Sequence, residues 1–494
     1  MPIDHSAAIQ ELNVARFSKI YVSGEWRDTS DHYPVTDPAT GGEIGKIAQS
    51  TAKDVDDAVK AAREGYKAWR KLSINKRRDC ILKLAALVEQ NEQELARLES
   101  LNMGMPLQVA KSFAVKACYR NLEYFAGWMD KLYGEVVPLT GQSEGHFDYT
   151  LREPYGVVAV VIPWNTPMLF LGSKAGPALC TGNAVVIKPS ELASYTALRF
   201  AELAHEAGFP KGVVNVITGD GKVGGMLCEH PGVDKVTFTG GGETARHVLA
   251  AAAKTLKPVA LELGGKSPNI ILKDANPTKA TMGSVFGCFA LTGQACAAGS
   301  RVYVEEPLYE TMVKNFASFS KGLAVGDPLS KGTIVGPLVA KRQVERVMGF
   351  IERGKKSGAK LAYGGERLES GDLAKGNFVQ PTIFQEAPAD AEMVKEEIFG
   401  PVMNVWPFKK IDEVVEWAND SKYGLAAGVW TSDITKAHKV AHALEAGIVW
   451  INTWGTIPNS APFGGYKQSG FGREGGKNVL EEFTQVKNVY VDLS

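Results

Sequence analysis

From residue 156 onward, short apolar runs alternate with helical patterns. GVVAVVIP precedes a helix-like stretch opening at Pro167, NAVVIKPS precedes SYTALRFAELAHEAG, GVVNVITG precedes a short helix, and KVTFTG precedes ETARHVLAAAAKTL. Strands that are apolar on successive residues are buried on both faces, and amphipathic helices between them supply the cover. The pattern therefore predicts a doubly wound, parallel α/β domain. Upstream, in DVDDAVKAAREGYKAWR, Val55, Ala58, Ala62, Tyr66 and Trp69 recur at helical spacing, and further helical patterns extend through Arg120 to Trp128. These are expected to pack on the same sheet. After KPVALELGG the alternation restarts with NIILKD, a helix running toward Cys296, RVYVEE, and further units as far as GIVWIN. A second α/β domain accounts for that restart better than one very large sheet.

Two stretches fit neither domain. EGHFDYTLREP and EFTQVKNVYVDL alternate apolar and polar residues over short extended runs. Such strands leave unpaired edges unless something covers them, and the expected cover is another subunit, through an added strand, in preference to a simple intramolecular hairpin.

Composition narrows the function. At 494 residues and 45% hydrophobic, the chain is long enough for two or three domains with large cores. Lys plus Arg (55) equals Asp plus Glu (55), so no net field favours nucleic acid or an anionic membrane, and small polar or neutral partners are expected. The N-terminus lacks the basic start and apolar stretch of a secretory signal, and no window reaches the roughly 18 apolar residues of a membrane span. The six cysteines, Cys80, Cys118, Cys180, Cys228, Cys288 and Cys296, show no CxxC pair and no metal-ligand spacing, as suits reduced thiols. A soluble, cytoplasmic chain without a bound metal is expected.

Five stretches carry candidate chemistry. LTGQACAAGSR sets Cys296 among small residues, between Gly293 and Gly299, just past a predicted helix. A nucleophilic thiol needs access, a route to thiolate and donors for the oxyanion its attack creates, and the alanines and glycines give access. A buried structural cysteine is the competing reading of this stretch alone. LELGGKSP puts Glu262 at the end of an apolar strand, where strand ends of open sheets face ligand crevices; half-buried there, it could act as a general base or sit in a salt bridge. In VVIPWNTPMLF, Asn165 precedes a helix start and could offer an amide donor or merely cap the helix. In VVIKPSE, Lys188 and Glu191 follow the next strand, where an acid suits the paired hydroxyls of a ribose; FTGGGETARHV adds Gly240, Gly241 and a helix start, a place for pyrophosphate.

Taken together, IPWN, KPSE, FTGG, LELGGKSP, the GQxCxxGSR frame, EEIFGPV and APFGGYKQSGFGRE resemble, in order and spacing, the NAD(P)-dependent aldehyde dehydrogenases, from about Tyr21 to Val491. The resemblance implies that Cys296 attacks the aldehyde, that Asn165 and the cysteine's own backbone N–H hold the oxyanion, and that Glu262 activates the water that hydrolyses the thioester. It implies that Lys174 and Glu474 connect to Glu262 through a proton path. For the cofactor it implies Glu397 and Phe399 on the nicotinamide ribose and ring, Lys188 and Glu191 on the adenosine ribose, Gly240 and Gly241 at the pyrophosphate, and Ile162, Trp164, Leu263 and Gln343 as further contacts. The aldehyde pocket is expected among Thr166, Phe170, Ser173, Ala290, Ala295, Ala297, Ile457 and Phe463, several small where relatives carry rings; a bulky aromatic or long apolar aldehyde follows.

The implied fold comprises a coenzyme domain (1–128 and 152–262), a catalytic domain (263–474) and an oligomerisation arm (129–151 and 475–494), in a homodimer or homotetramer. NAD is favoured over NADP. Gly241 and Ala245 stand where the family often has a serine and a glycine, which leaves the pyrophosphate contacts open. An acylating relative that uses coenzyme A generally lacks the Glu262 carboxylate, a structural relative would lose nucleophile or base, and esterase action would be a side reaction of the same thiolate.

Overall fold

The computed structural model describes residues 3–143 and 145–493. Met1, Pro2, Glu144 and Ser494, which fall within the ranges given to the coenzyme domain and the arm, lie outside the described residues.

The apolar runs form the parallel core of an eight-stranded sheet. In spatial order its parallel strands are Val214–Val216, Ala184–Pro189, Val157–Ile162, Lys235–Thr239 and Val259–Glu262. Every residue of Val157–Ile162 is buried, because alternate side chains enter different cores: Val158, Val160 and Ile162 one, Val157, Ala159 and Val161 the other. Helix Ala52–Lys71 gives Val55, Ala58, Val59 and Ala62 to the second core, while Trp69 turns to the first, where its indole N–H donates to the Leu179 carbonyl at 3.0 Å. A capping box of Thr51 and Asp54 starts that helix. Helices Ile74–Gln90 and Lys116–Ala126 share the first core.

Chain order reverses between Val157–Ile162 and Lys235–Thr239, so the crevice of the topological switch lies beyond Ile162 and Thr239. Asn165 and Gly240 follow those two strand ends directly.

The restart after Glu262 is a separate seven-stranded sheet, ordered Lys360–Tyr363, Thr382–Gln385, Val402–Phe408, Arg301–Glu305, Pro268–Ile271, Ala426–Trp430 and Ile448–Ile451, parallel except for the first strand. Two features depart from expectation. The hairpin Ile20–Val22 with Glu25–Arg27 extends one edge of the first sheet, and Gly470–Phe471, inside the range assigned to the catalytic domain, closes the other edge antiparallel to Val259–Glu262. The chain thus returns to the first sheet before 474.

The two orphan stretches are strands His146–Pro154 and Thr484–Asp492, and they pair with each other over nine residues, from Thr484↔Pro154 to Asp492↔His146. Their immediate partner is therefore intramolecular. The ribbon still displays Phe147, Leu151, Val486 and Tyr490 to solvent. No described helix is long and apolar enough to cross a membrane, and among the described residues no group of three or more His, Cys, Asp or Glu could hold a metal ion.

Candidate active site

Helix Pro277–Phe289 ends in a tight turn in which Leu291 (φ 54°) and Thr292 (φ 58°) adopt left-handed backbone. A β-branched residue there is strained, and the surroundings hold it: Thr292 Oγ1 donates to the Gly336 carbonyl at 3.0 Å, and Gln294 Oε1 accepts the Val339 N–H at 3.0 Å. Two residues beyond Gln294, Cys296 is partly exposed.

The flanking glycines do not clear space for the thiol. Gly293 (φ 71°) lies against the Gly400–Pro401 backbone, and a Cβ on Gly299 would sit 2.9 Å from the Trp454 ring. The same indole fills the space over Gly287 and Gly428 and donates its N–H to the Ala297 carbonyl at 3.2 Å. Trp454 thereby clamps the residue after Cys296. Access comes instead from a cavity of about 370 Å³ that reaches Cys296 and Asn165.

All eight residues expected around the aldehyde line that cavity: Thr166, Phe170, Ser173, Ala290, Ala295, Ala297, Ile457 and Phe463. Its aromatic wall was not foreseen. Phe113, Phe286, Trp450 and Trp454 come from four separate elements and loops, which share no local motif. Two π-helical stretches, Ala110–Val115 and Leu171–Ala175, carry wall residues, a distortion common where a helix serves a site.

Asn165 is buried and is not a helix cap: Thr166 holds that position. Its Nδ2 donates to the Gln294 carbonyl at 2.9 Å, which fixes the amide beside the cysteine loop, and Oδ1 has no partner among the described residues. One Nδ2 hydrogen remains free for an oxyanion.

Glu262 ends its strand as expected, but it is buried rather than half-buried, and its carboxylate enters a small recess shared with Lys174, Thr237, Arg473 and Glu474. Neither oxygen makes a well-formed hydrogen bond. Burial, reinforced by the Glu474 charge, pushes its carboxyl well above the usual range, against the opposing pull of Lys174 and Arg473. Lys174 pairs with Glu474 and donates to Thr237 Oγ1 at 3.0 Å, and Ser173 Oγ donates to Glu474 Oε2 at 3.0 Å. Glu474 and Ser173 line both recess and cavity, so they connect Glu262 to the Cys296 side. Although Cys296 is partly exposed as a residue, desolvation of its sulfur among the surrounding protein atoms, together with the charges of Glu262, Glu397 and Glu474, raises the thiol above its ordinary value.

The cofactor candidates fall along the crevice in two groups. Glu397 is pushed up to about 7 by burial; its Oε1 accepts the Gly265 N–H at 3.1 Å, and a Cβ on Gly264 would overlap its carboxylate. Phe399 (φ 59°) meets Trp164 edge-on at 5.3 Å. Gln343 Nε2 donates to the Phe399 carbonyl at 2.7 Å, so its observed work is to hold that strained backbone. At the other group, Lys188 is buried and Glu191 is bound by Arg342. Gly241 caps the twelve-residue helix Gly242–Ala253, with open space over Gly241 and Gly242. Ile162 and Leu263 turn their side chains into the two cores of the sheet. A glycine cradle at a helix N-terminus, a buried carboxylate behind a bare glycine and an aromatic pair fit a dinucleotide.

Comparison with known proteins gives the same picture. Residues 26–489 match the model of the aldehyde dehydrogenase family. DhaS of Bacillus subtilis (strain 168), a putative aldehyde dehydrogenase, is 43% identical over 480 residues, 96% of each chain. The NAD+ complex of an aldehyde dehydrogenase from Bacillus cereus superposes with a TM-score of 0.96 at 42% identity over all of both chains. The Pseudomonas syringae indole-3-acetaldehyde dehydrogenase AldA, as a cysteine-to-alanine mutant in complex with NAD+ and IAA, gives 0.94 at 37% identity, covering 98% of each chain.

Proposed function

The chain belongs to the aldehyde dehydrogenase family, and from that premise we propose that it oxidises a bulky aromatic or long apolar aldehyde to its carboxylic acid with NAD+ and water. The observation that carries the reading is the joint placement of Cys296 and the Asn165 amide on one largely apolar cavity, with Glu262 and its lysine–glutamate pair in the adjoining recess.

Cys296 sulfur, as thiolate, adds to the aldehyde carbon; the C–S bond forms and the carbonyl π pair moves to oxygen. The free Nδ2 hydrogen of Asn165 and the Cys296 backbone N–H stabilise that oxyanion. NAD+, when bound, would supply the two-electron hydride acceptor for this carbon; as hydride leaves, the oxygen pair would return to the carbon, leaving a thioester on Cys296. Glu262 then takes a proton from water as its oxygen attacks, the C–S bond breaks, and the acid leaves as thiolate is restored. Glu474 and Lys174 relay the proton outward.

For the cofactor, Glu397 and Gly264 would hold the nicotinamide ribose, Trp164 and Phe399 would border the ring, Gly240 and Gly241 would receive the pyrophosphate, and Lys188 and Glu191 the adenosine ribose. Ile162, Leu263 and Gln343 shape this crevice from behind. The substrate class is supported by the aromatic wall and by the small side chains of Ala290, Ala295 and Ala297. The exposed apolar ribbon supports assembly as a dimer or tetramer.

The test is a pair of variants. Cys296→Ala is expected to fold, bind NAD+ and produce no NADH with any aldehyde. Glu262→Gln is expected to bind NAD+, lose about 10² to 10⁴ in acid production and accumulate an acyl mass on the Cys296 peptide. Turnover by folded Cys296→Ala, or acyl-CoA as the main wild-type product, would overturn the reading.

A further inference from the structure

We propose that Arg342 sets how strictly this site discriminates between NAD+ and NADP+, by sharing the Glu191 carboxylate with the adenosine ribose. The inference rests on the reading of Glu191 as the ribose acid.

Glu191 follows the strand Ala184–Pro189 of the first sheet, and its side chain is 16% exposed. Its Oε1 accepts a hydrogen bond from Arg342 Nη2 at 3.0 Å, and Oε2 accepts one from Ser190 Oγ at 3.2 Å. Arg342 comes from the other α/β unit, as the second residue of helix Lys341–Lys356, and its side chain is 64% exposed. Among the described residues Glu191 is its one ion-pair partner. The same first turns of this helix reach the opposite group of cofactor candidates, where Gln343 holds the Phe399 carbonyl and Arg346 donates to the Glu397 carbonyl at 2.6 Å.

An unpaired carboxylate beside the ribose accepts hydrogen bonds from its hydroxyls and repels a 2′-phosphate. Here the charge is already countered and one oxygen is engaged, so the ribose of NAD+ must compete with the guanidinium for Oε1. A guanidinium has five N–H donors in a planar fork, and most of those of Arg342 are unused. Turned from the carboxylate to a 2′-phosphate, it would form a charge-assisted bidentate pair where Glu191 alone would reject the ligand. Its solvent exposure leaves it free to make that exchange. The buried Lys188, on the strand that leads to Glu191, is a second basic group beside this carboxylate and adds to the tolerance.

The test is direct binding of NAD+ and of NADP+ by calorimetry to wild type, Arg342→Gln, Arg342→Lys and Glu191→Gln. Arg342→Gln is expected to weaken NADP+ about five- to tenfold while NAD+ stays within about threefold, with the difference shrinking as salt rises. Arg342→Lys should recover part of the NADP+ affinity, since the charge remains and the fork is lost. Glu191→Gln should shift the ratio toward NADP+. An unchanged ratio in Arg342→Gln while Glu191→Gln shifts it would overturn the role of Arg342 alone. Unchanged affinities in Glu191→Gln would mean that the ribose is elsewhere, and both statements would fall.

Discussion

Near the start of the chain, the His5 imidazole bonds to Asp37 and to Asp327 of the second α/β unit, and its contribution can be worked out from the groups around it. His5 is 4% exposed; Nδ1 lies 2.7 Å from Asp37 Oδ2 and Nε2 lies 2.9 Å from Asp327 Oδ1. Burial alone would favour the neutral ring, but the hydrogen bonds to Asp327 and Asp37 outweigh it and raise the pKa from 6.5 to about 9. That difference of about 2.5 units, at about 1.36 kcal/mol each, corresponds to roughly 3 kcal/mol. Because the folded pKa is the raised one, the contribution is complete below about pH 6.5 and is lost as pH climbs through about 9.

His5→Gln keeps a polar group but removes the cation between two carboxylates. Asp37 retains the Ala39 N–H and Thr40 hydroxyl, and Asp327 retains the Leu329 N–H and Ser330 hydroxyl, so the loss stays local. Because a chain of 494 residues need not unfold in one step, the assay is hydrogen exchange of the peptides around residues 5–12 and 325–332, in a pH series, for both proteins. At pH 6 the variant should exchange in these peptides with protection lower by about 2 to 3 kcal/mol, and above pH 9.5 the two proteins should converge. A deficit of the same size at pH 6 and pH 10 would refute the charged-imidazole account.

Three further outcomes are expected. Gly264→Ala should displace the Glu397 carboxylate and weaken NAD+ binding by about tenfold or more, with unchanged affinity counting against the cradle. Ala290→Phe should refill part of the 370 Å³ cavity, so kcat/KM falls for bulky aromatic aldehydes and rises relative to them for acetaldehyde, by about tenfold in ratio; an unaltered ratio would place the substrate elsewhere. In the cofactor-free protein, alkylation of Cys296 by iodoacetamide should keep accelerating above pH 9, because burial and three nearby carboxylates raise its thiol, whereas a plateau near pH 7 would show a preformed thiolate.

The core strands of both sheets were legible because each is a short apolar run bounded by amphipathic helices. The strand Asp31–Thr36 was not, since its one buried residue is Val35 and nothing in DHYPVT repeats with a period of two. The orphan ribbons were legible as strands, but their partner was not, because two segments more than 300 residues apart pair by a register that local pattern does not encode. At the site, Cys296, Asn165 and Glu262 stood out through short motifs. Gly293 and Gly299 misled: a glycine shows only that a side chain is unwelcome, and here the space is taken by backbone and by Trp454. Arg342 had no motif at all, and its relation to Glu191 exists only once two sheets face one crevice.

Two buried acids in this chain show why pKa alone does not mark a catalytic group. Glu99 and Glu262 are both buried and both pushed upward by burial. Glu99 Oε1 accepts the Met168 N–H and the Thr196 hydroxyl, each at 3.0 Å, so its desolvation is partly offset by bonds that brace the turn after Asn165, while Oε2 has no partner among the described residues. Glu262 has less offset, for neither of its oxygens is well bonded and a contact with the Gly465 backbone favours its charged form only in part, and an interior group left so is a net cost to the fold. Its neighbours differ too: the paired Lys174 and Glu474 lie in the same recess, where the proton relay proposed above would run, and Glu474 also faces the cavity that reaches Cys296. A carboxylate with both oxygens open beside the Lys174–Glu474 pair fits the general base proposed above, and one whose Oε1 ties a helix start to Thr196 fits a structural role.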